Sequence, residues 1–271
     1  VIAFNGKGGV VIEGDTKNNS VLGNSIFSNA GGRGSSAEMF TNVNGTLFFV
    51  ANDGVQGSEL WKSDGTAAGT VLVKDIRLGT GASNLSWFTN VNGTLFFVAN
   101  DGVEGSELWK SDGTAAGTVR VADINSGLGG SNPSSLTNVN GTLFFQAFDP
   151  LHGQELWKSD GTAAGTVLVK DINPGFSPSG PDRLTSVNGE LYFIAVDATH
   201  GYELWKSDGT DAGTVLVRDI NPGNGSSAPF LITNINGTVF FQADDGVYGG
   251  ELWKSDGTTA GTVLVKDIFT G

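Results

Sequence analysis

The chain has two histidines, His152 and His200, and they stand 48 residues apart. Two imidazoles could share a metal ion, but a closed metal site needs further ligands. No cysteine is available to supply one, which also excludes disulfides and thiolate chemistry. Solvated loop histidines are therefore the expected reading.

The carboxylates obey the same interval. Asp53, Glu59, Asp64, Asp75 and their copies account for twenty of the 28 acidic residues. The other eight are Glu13, Asp15, Glu38, Glu104, Asp182, Glu190, Asp211 and Asp244. A glycosidase needs two carboxylates in unlike settings, one with a raised pKa. Carboxylates repeated five times sit in five similar settings and read as structural, and no pair among the eight stands out. Asp53 and Asp64 fit turn duty, where a carboxylate accepts backbone N–H groups. Glu59 and Asp75 suggest ion pairs with the equally regular Lys62. Lys74 reads as an edge charge that blocks stray strand pairing. No cofactor is expected. Calcium is the one ion the acidic composition brings into consideration, yet no copy carries the ligand spacing of known calcium loops. Gly31-Gly32-Arg33-Gly34-Ser35-Ser36 approaches a calcium repeat but has Ser36 where the ligating Asp would be.

An internal repeat positions all these residues. Glu-Leu-Trp-Lys-Ser-Asp-Gly-Thr begins at 59, 107, 155, 203 and 251, always 48 residues apart. Asn-Gly steps at 44–45, 92–93, 140–141, 188–189 and 236–237 keep the same register. Each unit holds four short β runs, A to D, joined by turns. Asn-Gly between two apolar runs is a strong hairpin signal, because both central residues need positive φ. Runs such as Leu47-Phe48-Phe49 and Val71-Leu72-Val73 are apolar on consecutive positions, so both faces of the sheet must be covered. Four-stranded units with two buried faces and this period predict a closed five-bladed β-propeller over residues 35–271; an open solenoid is the other arrangement that repeat physics permits. Trp61 and its copies are expected in the core between blades.

Residues 1–34 differ. Ile2-Ala3-Phe4-Asn5-Gly6 reappears as Ile26-Phe27-Ser28-Asn29-Ala30, a shift of 24. Short β runs with Asn and Gly at the corners read as rungs of a parallel β-helix. Such rungs need neighbours, so the native protein is expected to continue upstream of Val1. The net charge of −13 and pI near 4.4 exclude a nucleic-acid face. No apolar run reaches the ~18 residues of a spanning helix.

The motif Glu-Leu-Trp-x-x-Asp-Gly-Thr, followed by Gly-Thr-x-Leu-Val-Lys-Asp-Ile, resembles the ELWxxDGT repeat of large bacterial surface and secreted proteins. It is seen at 59–76, 107–124, 155–172, 203–220 and 251–268, with departures at Arg120 and Ala122. The resemblance implies export, a bacterial cell-surface or extracellular location, and large multidomain chains. It implies no established chemistry. Residues 1–34 resemble the end of a right-handed parallel β-helix of bacterial extracellular proteins, and the strand plan is similar to kelch blades.

Copy-to-copy variation is concentrated. The A–B and C–D turns are nearly constant, whereas the B–C and D–A loops vary. In an antiparallel blade the two varying loops share one face. Loops on a rigid scaffold are where recognition resides. Trp87, His152, Arg183, His200, Tyr202, Phe230 and Tyr248 are the candidate ligand-binding residues there. The expected function is a non-catalytic structural or binding module of a surface or matrix protein, acting in adhesion or assembly. Its partners would be other surface proteins or glycans, and self-assembly is a further expectation. The alternatives are a lectin-like glycan-binding propeller and, behind it, a glycoside-acting enzyme.

Overall fold

A computed structural model describes residues 2–5, 9–12 and 37–268. Every element among them is a β-strand, and there is no helix. None of the described residues forms a helix long and apolar enough to cross a membrane. The chain divides into two compact units, Val1–Asn132 and Pro133–Gly271.

In the first unit, β1 (Ile2–Asn5) and β2 (Gly9–Ile12) pair antiparallel, Ile2 opposite Ile12. These two strands are joined as an antiparallel pair and are not parallel neighbours of each other. Antiparallel strands can be joined by a short connection, whereas parallel neighbours need a long crossover. The remainder of the expected β-helix segment lies outside the described residues. Two four-stranded sheets follow. Sheet 1 holds β3 (Glu38–Val43), β4 (Thr46–Asn52), β5 (Ser58–Ser63) and β6 (Val71–Lys74). Sheet 2 holds β7 (Ser86–Val91), β8 (Thr94–Asn100), β9 (Ser106–Ser111) and β10 (Val119–Arg120). Strand β10 is only two residues long, in the copy where Arg120 and Ala122 depart from the repeat.

The second unit has three such sheets. Sheet 3 holds β11 (Ser134–Val139), β12 (Thr142–Asp149), β13 (Gly153–Ser159) and β14 (Val167–Lys170). Sheet 4 holds β15 (Asp182–Val187), β16 (Glu190–Ala195), β17 (Glu203–Ser207) and β18 (Val215–Arg218). Sheet 5 holds β19 (Phe230–Ile235), β20 (Thr238–Asp244), β21 (Gly250–Ser255) and β22 (Val263–Lys266). All five sheets are antiparallel with strands in sequence order.

The consecutive apolar residues are explained by packing on both faces. Leu95, Phe97, Ala99 and Trp109 of sheet 2 lie in one core with Phe48, Leu60 and Val73 of sheet 1. Sheets 3 and 4 repeat the pattern, with Trp205 against Phe144, Leu156 and Val169. Sheets 4 and 5 do so with Trp253 against Tyr192, Leu204 and Val217. Trp109, Trp205 and Trp253 are thus core residues between sheets, as expected, while Trp61 and Trp157 are half-buried. First strands of neighbouring sheets meet edgewise: Asn90 Nδ2 donates to Asn42 O at 3.2 Å, and Thr137 Oγ1 to Leu184 O at 3.3 Å.

The constant turns consume their own polar groups. At the A–B turn, Asn44 (φ 51°) and Gly45 (φ 85°) adopt the positive φ that the hairpin requires. At the C–D turn, Asp64 accepts from Thr66 N and Thr66 Oγ1 at 2.9 and 2.8 Å. Thr66 Oγ1 in turn accepts from Gly69 N at 2.9 Å. A Cβ on Gly69 would fall 2.0 Å from the Asp64 carboxylate, so only glycine fits. The Thr66 donors hold the Asp64 carboxyl below its usual range.

Candidate functional site on the variable loop face

Glu59 stands near the start of β5 and is wholly buried, as are Glu107, Glu155 and Glu203 in their sheets. A buried carboxylate must find donors. Glu155 has three: Ser179 N at 2.9 Å, Ser179 Oγ at 2.5 Å and Ile172 N at 3.0 Å. Glu203 repeats this with Ser227 and Ile220. Glu107 takes Ser131, and Glu59 takes Ser83 Oγ and Ile76 N. Burial pushes Glu107 and Glu155 up to about 7 and raises Glu59 and Glu203. The serines lie 24 residues downstream of their glutamates. Each glutamate therefore fastens a D–A loop to the start of strand C. It is a loop anchor and not the expected ion-pair partner.

The two variable loops share one face and touch. A Cβ on Gly57 in the B–C loop would fall 2.4 Å from Gly81 O in the D–A loop. Gly201 N donates to Gly225 O at 3.1 Å in the same relation. Only glycine permits so close an approach.

The expected roles of the lysines are corrected by geometry. Lys74 Nζ donates to Thr118 O of the next sheet at 2.7 Å and lies 5.8 Å from the Trp109 ring centroid. Arg218 does the same toward Thr262 O and Trp253. This row ties sheet to sheet and does not merely guard an edge. The Lys62 row divides: Lys206 meets Glu190 at 3.6 Å, whereas Lys158 donates to Gly209 O at 2.8 Å.

The seven candidate residues fall into two groups. His152 and His200 occupy B–C turns, where Asp149 and Asp197 accept from their Nδ1 at 2.9 Å. Those hydrogen bonds raise both imidazole pKa values. Tyr248 is exposed on a B–C loop, with its N donating to Asp245. Trp87, in the first unit, is 45% exposed. Each of these four sits in a turn or strand of its own sheet. Among the described residues, no three His, Cys, Asp or Glu side chains are grouped to hold a metal ion.

Arg183, Tyr202 and Phe230 are brought together by sheets 4 and 5. Strand A of every sheet breaks register near its start, in sheet 4 between Asp182 and Thr185. The bulge residue is left-handed in all five: Met39, Trp87, Ser135, Arg183 and Leu231 have φ of 55–60°. Bulges re-aim side chains. Here the Arg183 guanidinium carbon stacks 4.1 Å from the Phe230 ring centroid. Arg183 and Tyr202 line a cavity of about 300 Å³ with Gly180, Asp182, Ile194, Ala228 and Pro229. Arg183 Nε is buried and has no hydrogen-bond partner among the described residues. Asp182 Oδ1 accepts from Ser135 Oγ at 3.1 Å.

Asp182, Gly180, Ile194, Ala228 and Pro229 are site residues that sequence reasoning did not assign. A signal existed for two of them. Asp182 is among the eight acids outside the repeat pattern. Ala228 occupies the repeat position where Asn84 and Asn132 stand.

No protein-family model matches this chain, and no characterised protein matches it in sequence. Similarity appears in solved structures. One is from a structural and mechanistic analysis of two prolyl endopeptidases: 13% identity, TM-score 0.55, covering 86% of this chain and 37% of that one. A puromycin hydrolase mutant complexed with PGG gives 14% identity and TM-score 0.52, covering 89% of this chain and 40% of that one. A puromycin-hydrolyzing peptidase of Mycobacterium tuberculosis gives 11% and 0.50, with 87% and 39% coverage. This chain thus spans about two fifths of each relative's length. At these identities the likeness supports a β-propeller fold and carries nothing about activity.

Proposed function

We propose that this chain is a non-catalytic binding module of an exported bacterial surface or matrix protein. Its five sheets form a five-bladed β-propeller, and its variable loop face recognises other surface proteins or glycans. The observation that carries the reading is the meeting of Arg183 and Tyr202, drawn from separate variable segments, at one cavity, with Arg183 stacked on Phe230. The constant turns offer nothing comparable, because their polar side chains are satisfied internally. The carboxyls raised to about 7, which could mark a general acid, are buried under loops and bonded to backbone and serine. That arrangement favours support over catalysis. The export and surface assignment rests on the motif resemblance.

The test is binding of the labelled chain to bacterial cell-wall and extracellular-matrix preparations. A Trp87→Ala, Tyr202→Ala, Tyr248→Ala triple variant is compared with an Ala115→Gln, Ala163→Gln variant of the constant turns. Loss in the first and retention in the second is expected. Retention in the triple variant overturns the assignment of recognition to the loop face.

A further inference from the structure

The cavity between sheets 4 and 5 exists because of two residue choices. The position two residues before strand A is left-handed in four sheets: Asn84, Asn132, Gly180 and Ala228 have φ of 50°, 47°, 54° and 44°. Asn and Gly tolerate that conformation, whereas alanine adopts it at a cost. Ala228 nevertheless stands there and lines the cavity. Gly180 lines it too, and a Cβ at that position would fall 3.1 Å from Tyr202 Oη. The two smallest side chains are thus placed where a larger one would close the space. A strained residue kept at a cavity wall points to use of the cavity.

The wall chemistry defines the occupant. Ile194, Ala228 and Pro229 are apolar, and Tyr202 adds a ring and a hydroxyl. Arg183 brings donors, its stacking on Phe230 fixing the guanidinium plane. Its buried Nε lacks an acceptor among the described residues, which an incoming oxygen would supply. Asp182 brings acceptor capacity beyond the Oδ1 engaged by Ser135. One cation and one carboxylate leave the lining neutral, in a chain of net charge −13. An anionic ligand would meet Asp182 and that surplus, while a cation would meet Arg183. A neutral ring with hydroxyls on its rim and C–H groups on its face meets neither. A volume of about 300 Å³ is at the small end of ligand pockets, so one ring fits and a chain does not.

We propose that this cavity binds one neutral pyranose residue, with Asp182 accepting from and Arg183 donating to its hydroxyls and its face against Tyr202. The proposal rests on the loop face being the recognition face.

The experiment is an amide chemical-shift titration of the whole chain. The probes are methyl glucoside, methyl galactoside, methyl mannoside, methyl glucuronide and an N-acetylated tripeptide with a free carboxylate. At least one neutral glycoside should shift the amides of 180–183, 202 and 228–230. Asp182→Asn should weaken it by roughly tenfold or more, because a site built around hydroxyls loses an acceptor. Ala228→Asn installs the residue that sheets 2 and 3 carry there; it should keep or raise the melting temperature while abolishing the shifts. A wild-type response in Ala228→Asn overturns the proposal. So does a preference for the glucuronide or the peptide, or silence toward all three neutral glycosides. If the glycosides are silent while the triple variant still loses matrix binding, the sugar assignment falls and the loop-face reading stands.

Discussion

At the C–D turns, Asp64, Asp112, Asp208 and Asp256 lie in water and accept from the Thr two residues on. These bonds hold all four carboxyls below their usual range. At the opposite end of the same strand C, Glu59, Glu107, Glu155 and Glu203 are buried, and burial raises them. The two ends differ in what the carboxylate leaves over. On the turn face it closes the loop 64–70 and its copies onto themselves, and sequence cannot drift without breaking them. On the loop face it reaches backbone and serine from below, and the outward side chains stay unconstrained. Constancy on one face and variety on the other thus follow from where the anchoring carboxylate sits.

The largest expected effect separates core from face. Trp205→Ala should lower unfolding free energy by about 3–5 kcal/mol, as for other large core truncations. Trp87→Ala, on the exposed bulge, should change it by roughly 0.5 kcal/mol or less. Urea melts of both variants check this; equal losses would remove the distinction.

The second effect is of pH, and the two rows pull in opposite directions. A carboxyl raised from 4.5 to about 7, as in Glu107 and Glu155, binds its proton more tightly when folded. Its contribution is complete below about pH 4.5 and is lost as pH rises through about 7. At 1.36 kcal/mol per unit this is on the order of 3 kcal/mol for each of the two, as an upper bound. The lowered Asp64 row contributes above the ordinary carboxylate range and is lost only in stronger acid. Melting temperature should therefore peak near pH 5 and fall toward pH 8. Glu155→Gln should flatten part of that fall. A curve that rises steadily to pH 8 would contradict the raised values.

A smaller effect tests a single anchor. Ser179→Ala removes the hydroxyl that Glu155 Oε2 accepts at 2.5 Å. Leaving a buried carboxyl oxygen without its partner should cost about 1–3 kcal/mol. Ser177→Ala, two residues earlier in the exposed loop, should cost close to nothing. Equal costs would mean that the glutamate does not anchor the loop.

Much of the fold was legible because its causes are local. Asn44-Gly45 and Asp64-Gly65-Thr66 specify turns by their own φ demands and side-chain acceptors, and Leu95-Phe96-Phe97 states that both sheet faces are covered. The role of Glu59 was not legible as an anchor, because its partners Ile76 and Ser83 meet it only when the D–A loop folds back. The serines at 83, 131, 179 and 227 were a readable sign, each 24 residues after its glutamate. Lys74 looked like an edge charge because its acceptor, Thr118 O, belongs to the next sheet. The bulge at Met39, Trp87, Ser135, Arg183 and Leu231 left no trace, since no residue type marks it. Without the bulge, the stacking of Arg183 on Phe230 could not be foreseen.

The central claim is that the variable face is rigid beneath and free above. Hydrogen exchange at Ile172, Ser179, Ile220 and Ser227 tests it most directly. These amides lie in loops but donate to Glu155 or Glu203 at 2.8–3.1 Å. They should exchange as slowly as the amides of β13 and β17, while Ser177 and Asn224 at the exposed loop tips exchange fast. Exchange of all six at the same fast rate would contradict the account.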